Sequence, residues 1–150
     1  MTSWADFASA APDLAARVKE RFAIRKHKTL ATLRRDGSPR ISGIEVEIDR
    51  DEVLIGMMPG SVKLHDLERD PRLALHSPTE DPPPDDPRGW AGEAKISGRA
   101  VPVERAPDPG GRSFRVEIAE VVLTHLNESG DRLVVESWHA SRGFRRTERT

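Results

Sequence analysis

Cysteine is absent from the 150 residues. Disulfide staples, thiolate metal sites and a cysteine nucleophile are therefore excluded, and the redox compartment stays open. No apolar run approaches the roughly 20 residues that a bilayer span needs. Neither charge sign dominates. The 24 basic and 25 acidic side chains leave a net charge of −1, which disfavours a general attraction to nucleic acid or anionic membrane. Residues 1–10 lack a basic start followed by an apolar core, so no secretory signal is read there and a cytoplasmic protein is expected. The chain is 36% apolar and 33% charged, polar for a globular protein but unlike a disordered tail. Its length is that of one ordinary domain.

Several motifs are missing as well. There is no Gly-x-x-x-x-Gly-Lys-Ser/Thr loop and no Gly-x-Ser-x-Gly elbow of a serine hydrolase. The five histidines, His27, His65, His76, His125 and His139, do not fall in a zinc spacing, and no metal site is expected.

What is present is mostly period two. Asp13 to Lys26 reads as an amphipathic helix, with Leu14, Val18 and Phe22 on one face and Pro12 near its start. Thr29 to Arg34 is then a first strand, and Asp36-Gly37 a turn. From Arg40 to Ile48 apolar Ile44, Val46 and Ile48 alternate with Glu45 and Glu47, the pattern of a half-buried strand. Glu52 to Met58 supplies a third strand, Ser61 to Arg69 a short helix, and Leu73 to Ser77 a fourth strand. Thr79 to Gly89 is a Pro/Asp-rich loop. Glu93 to Val103 is a fifth strand, and Pro107 to Gly111 a further loop. In the sixth strand Phe114, Val116 and Ile118 give way to Val121 and Leu123 on the opposite parity. This predicts a bulge near Ala119-Glu120 or burial of both faces. Leu133 to Trp138 is a seventh strand.

The links are too short for crossover helices. The expected fold is mainly β: a six- to seven-stranded antiparallel split or closed barrel, with an N-terminal helix and a short helix after the third strand. Residues 1–27 are read as an N-terminal helical segment and 28–150 as the barrel domain.

The stretch richest in chemistry is Gly56-Met57-Met58-Pro59-Gly60-Ser61-Val62-Lys63. A strand ends, glycine turns the backbone, and Ser61 stands at a helix N-cap. Free N–H groups of the first turn, the positive helix end and Lys63 together would hold a phosphate. An ordinary capped helix with an exposed lysine has the same spacing. Glu45 and Glu47 share a strand face and read either as an acid–base pair or as a solvated surface. Trp138 with Arg142, Arg145, Arg146 and Arg149 reads as a wall for an anionic ligand or as a solvated basic tail.

An ordered series now stands out. It comprises Asp36-Gly37-Ser38-Pro39-Arg40, Leu54 to Met58, and Ser61-Val62-Lys63 followed by Leu67 and Asp70-Pro71-Arg72. Lys95-Ile96-Ser97-Gly98-Arg99-Ala100 and Trp138 complete it. From about Lys28 to Arg149 the chain resembles the pyridoxamine 5′-phosphate oxidase-like, flavin-binding split-barrel proteins, in particular their short actinobacterial members. The resemblance implies a homodimer with FMN lying between the subunits. It matches Ser61 and Lys63 to the residues that hold the flavin phosphate, with Val62 between them, and Arg40 to a strand arginine that faces this phosphate. Gly56 and Met57 match the strand end against the ring system. Glu93 stands where the oxidase has a glutamine near the ring, and Trp138 resembles a tryptophan that reaches the cofactor from the second subunit.

Departures from the oxidase are as informative. Glu45 replaces a substrate lysine, Val62 replaces an arginine, and the insert that carries substrate residues is reduced to the loop at Pro107 to Gly111. Arg145 and Arg146 only loosely echo the C-terminal arginine and histidine. An acidic Glu45 repels a phosphorylated substrate, so oxidation of vitamin B6 is not expected. The resemblance implies an FMN-dependent oxidoreductase acting on an unidentified small molecule, with no catalytic acid or base evident. Its alternatives are a reductase using the deazaflavin coenzyme (factor 420), a non-catalytic flavin- or haem-binding module, and a barrel that has lost its cofactor. No nucleic acid or membrane partner is expected.

Overall fold

The computed structural model describes residues 1–104 and 111–150. Two helices open the chain: α1 (Trp4–Ala10) and α2 (Pro12–Ala23). Eight strands follow, β1 (His27–Leu33), β2 (Pro39–Ile48), β3 (Val53–Met57), β4 (Arg72–His76), β5 (Glu93–Val103), β6 (Arg112–Leu126), β7 (Leu133–His139) and β8 (Gly143–Arg149), with α3 (Val62–Arg69) between β3 and β4. All strand pairs are antiparallel, in the order β3-β2-β1-β4-β5-β6-β7-β8. A further pairing of β3 with β6, from Leu54↔Arg115 to Met57↔Arg112, closes the first six into a barrel. β7 and β8 extend the sheet beyond it. The expected mainly β barrel with its N-terminal helix and its helix after the third strand is what forms.

Two elements depart from expectation. α1 was not predicted. Ser3 caps it by accepting a hydrogen bond from the Asp6 amide at 3.1 Å, and Trp4 and Phe7, one turn apart, are buried. The basic tail forms a strand, β8, paired with β7 from Leu133↔Arg149 to His139↔Gly143. Its side chains are mostly exposed, so it shows no apolar alternation to read. Of the loop at Pro107 to Gly111, residues 107–110 lie outside the described residues.

The bulge falls where parity predicted it. β5 and β6 pair as Ser97↔Glu120 and then Gly98↔Ile118, which leaves Ala119 without a partner on β5. The backbones close up here: a Cβ on Gly98 would lie 1.8 Å from the Glu117 carbonyl oxygen, so only glycine fits. β6 can thereby serve the core on both parities, with Phe114, Val116 and Ile118 before the bulge and Val121 and Leu123 after it.

One core runs through the molecule. Trp4, Phe7, Leu14, Val18 and Phe22 of the helices join Leu30, Ile55, Leu75, Ile96 and Val121 of the strands. α2 is also pinned by charge: Arg17 donates to both oxygens of the buried Glu136 on β7. Among the described residues no helix is long and apolar enough to cross a membrane.

Candidate functional site

Where β3 runs into α3, the chain must reverse within Met58-Pro59-Gly60-Ser61. Gly60 takes a φ of +72°, a conformation that side chains with a Cβ rarely adopt. The turn leaves a groove of about 790 Å³ beside it. Its walls come from the start of β1, the middle of β2, the end of β3 and Lys63 of α3, with Ser113 of β6. Gly43 and Gly56 present bare backbone there. A Cβ at Gly43 would meet nothing within 4 Å, and one at Gly56 would be in ordinary contact with Ser113 Oγ at 3.9 Å. Such a wall admits a flat ring close to main-chain groups.

Two cationic heads point at the main chain of this region. Lys63 Nζ donates to the Gly43 carbonyl at 2.9 Å, and Lys28 Nζ donates to the Lys26 carbonyl at 2.9 Å. Lys28 is buried. Desolvation holds its ammonium below the usual lysine range, with nearby Glu45 pulling the other way. Glu45 sits 3.4 Å from Lys26 Nζ and 3.9 Å from His27 Nε2. With Glu47, three lysines face two glutamates around the groove.

Ser61 occupies the N-cap position of α3 with extended backbone, yet its side chain makes no capping hydrogen bond. Its hydroxyl oxygen is buried and has no hydrogen-bond partner among the described residues. A buried hydroxyl left unpaired costs about 1–3 kcal/mol. The expected position of Ser61 is therefore observed, but the capping chemistry is not. The residue holds an unused donor and acceptor between groove-lining Met58 and Lys63. Serine, lysine and the open first turn of α3 fit an oxyanion such as the phosphate of FMN.

The predicted residues divide. Gly56, Met57 and Lys63 line the groove; Ser61 is not among its lining residues, although it stands in the chain between Met58 and Lys63, which are. Arg40 and Val62 instead line a second cavity, of about 450 Å³. Arg40 points there because its Nε donates at 2.7 Å to the buried Asp66, so the placement departs from a role at the groove. Glu93 also lies away from the groove, 3.8 Å from His76 Nε2. Trp138 is turned into the core of its own chain, 8% exposed, with its ring 5.1 Å from that of Phe7. The unforeseen helix α1 supplies that cover, and it leaves the indole little surface to offer a second subunit. Two arginines of the tail are ion-paired. Arg142 lies 3.7 Å from Glu120 and Arg146 3.1 Å from Glu148.

Sequence reasoning missed Lys26, His27 and Lys28. Their signal was the register of the first hairpin. Pairing Lys28↔Ile44 and His27↔Glu45 carries the Lys-His-Lys run to the wall that Glu45 was already expected to face.

The comparisons with known proteins agree with this architecture. A solved structure of PhzG from Burkholderia lata 383, in complex with tetrahydrophenazine-1-carboxylic acid, superposes with a TM-score of 0.64 at 15% identity, covering 91% of this chain and 88% of that one. A pyridoxamine 5′-phosphate oxidase-related, FMN-binding protein from Nostoc punctiforme gives 0.63 at 9% identity, covering 96% and 97%. A structure described as an F420 reductase gives 0.52 at 15% identity, covering 68% and 94%. At these identities the likeness is one of fold. No curated protein matches. The model of the family described as pyridoxamine 5′-phosphate oxidase matches residues 14–137, most of the chain, and the chain belongs to that family.

Proposed function

We propose that the chain is a flavin-dependent oxidoreductase that binds FMN in the groove at the β3–α3 turn and acts as a homodimer on a small molecule. The observation that carries the reading is the buried, unpartnered hydroxyl of Ser61 next to Lys63. A flavin phosphate seated there would satisfy that hydroxyl. It would also draw Lys63 Nζ, whose one hydrogen bond among the described residues leaves two N–H groups for a ligand. Gly43, Gly56 and Met57 would lie along the ring, and Lys28 stands as a buried donor in the wall. Bound FMN supplies the hydride chemistry; the chain binds, orients and excludes water. Glu45 in the wall disfavours phosphorylated substrates. Exposed apolar Ile41, Met58 and Val62, on the elements bordering the turn, would be covered in a dimer.

The test is titration of purified protein with FMN, followed by flavin fluorescence. Lys63→Ala is expected to weaken binding by about 1.5–3 kcal/mol, the scale of a charge-assisted hydrogen bond. Unchanged affinity removes the phosphate assignment. The second reading, a deazaflavin-dependent reductase, is favoured by the likeness to the F420 reductase. Tighter binding of that coenzyme than of FMN in the same assay would select it. Anaerobic reduction by reduced nicotinamide or reduced deazaflavin then separates an enzyme from a carrier.

A further inference from the structure

β1 buries one face, and Lys28 stands on it. Burial alternates along the strand, with Lys28, Leu30 and Thr32 turned inward. A lysine is rarely buried without a charged partner. Lys28 is 8% exposed, and its Nζ makes one hydrogen bond, to the Lys26 carbonyl at 2.9 Å. It forms no ion pair among the described residues. Glu45, the carboxylate whose charge acts on it through space, is drawn instead to exposed Lys26, 3.4 Å from its Nζ.

The surroundings of this amine are apolar. Ile44, its cross-strand partner on β2, lines the groove together with Val46, Leu54, Ile55 and Met57. Taking an ammonium out of water against such a wall disfavours the charged form. Desolvation therefore holds Lys28 below the usual lysine range, although the charge of Glu45 pulls the other way. The share of free amine at neutral pH rises accordingly, and the amine borders a groove of about 790 Å³. The remaining lysines are placed differently. Lys19, Lys26 and Lys95 are exposed, and Lys63 is half-buried.

We propose that Lys28 is a nucleophilic amine that captures an aldehyde in the groove as an imine. The proposal rests on the groove being the ligand site of the proposed function, and it adds the class of small molecule taken there: an aldehyde on a flat apolar body. Such a body fits the apolar wall and the bare backbone at Gly43 and Gly56. The amine lone pair attacks the carbonyl carbon, and the carbonyl π pair moves to oxygen. One amine proton passes to that oxygen, giving a carbinolamine. Its hydroxyl departs with the second amine proton as water, and a C=N bond replaces the C=O bond. No oxidant or reductant enters. A lysine desolvated by an apolar pocket is the kind of amine this step uses.

Reductive trapping on the full chain tests it, with 4-carboxybenzaldehyde and cyanoborohydride near neutral pH and mass mapping of the modified lysines. Hydride from the borohydride converts the imine to a stable secondary amine. Lys28 is expected to be modified about tenfold faster than exposed Lys19. That preference should shrink in strong alkali, where the exposed lysines lose their protons as well. Lys28→Arg, which keeps a cation but cannot form an imine, should remove the fast phase and leave the slow labelling of the other lysines unchanged. Equal rates at Lys28 and Lys19 overturn the proposal. So does a preference for Lys28 that survives unfolding in urea, which would assign it to the local Lys-His-Lys run and not to the groove. Titration of the same protein with FMN separates the two readings. FMN binding without preferential labelling overturns covalent capture alone; preferential labelling without FMN binding supports it and counts against the flavin alone.

Discussion

Asp66 and Glu136 invite comparison, because each is a buried carboxylate that ties one helix to the sheet. Glu136 of β7 takes both terminal nitrogens of Arg17 from α2, and its other neighbour is His125 of β6, whose Nε2 lies at 2.6 Å. Arg17 is further held by Asp13. Neither cavity reaches this cluster. At Asp66 the helix is α3 and the partners are Thr32, Arg40 and Arg69. Here the arginines keep donors in reserve and face a cavity. The same ion-pair chemistry consumes the donors in one place and leaves some of them unused in the other. What differs is how many of the donors the protein itself consumes.

The comparison breaks first at Glu136. Glu136→Ala leaves Arg17 and His125 without their buried acceptor and should cost about 3 kcal/mol in urea unfolding; a loss below about 1 kcal/mol would make the cluster no stronger than a surface pair. Acid sharpens the point. The hydrogen bond from Arg17, the largest influence, holds the Glu136 carboxyl below its ordinary 4.5 despite the opposing effect of burial. Its contribution to stability is full above that unfolded value and is lost as pH falls through the lower folded one. Stability should therefore fall more steeply below about pH 4.5 in the wild type than in Glu136→Gln.

Asp66→Asn comes next. It keeps the shape but loses the charge that orients Arg40 and Arg69, and should cost about 2 kcal/mol. A loss in urea unfolding as large as that of Glu136→Ala would remove the contrast between the clusters.

The smallest effect is expected at Ser61. A capping serine replaced by alanine costs about 1 kcal/mol. Ser61 makes no capping bond and its buried hydroxyl is unpaired, so Ser61→Ala should leave the free protein no less stable, or stabilise it by about 1 kcal/mol, while weakening FMN binding. A full capping loss in thermal unfolding, with FMN affinity intact, would return Ser61 to an ordinary cap.

Strands with one buried face were legible because period two survives in them. β2 shows it at Ile44, Val46 and Ile48, and even the bulge at Ala119 could be placed from a change of parity. β8 was not legible, since an edge strand with exposed faces carries no apolar alternation. α1 was missed although its Ser3 cap and its Trp4 and Phe7 spacing were present in the chain. Half of the site was legible for a similar reason. Gly56 to Lys63 is contiguous, so local chemistry identified it. Arg40 was assigned by its place in a motif, and nothing local announced that Asp66, on another element, would turn it away.

The sequence alone determined the alternating strands, the turn at Gly60 with Ser61 and Lys63 behind it, and the absence of thiol chemistry. These depend on residue type and short spacing, which the linear chain already contains. Tertiary structure decided the closure of β3 onto β6, the burial of Trp138 beneath Phe7, and the side of α3 on which each cation lies. Those outcomes depend on which distant carboxylate or apolar face a side chain meets, and only folding brings such partners together.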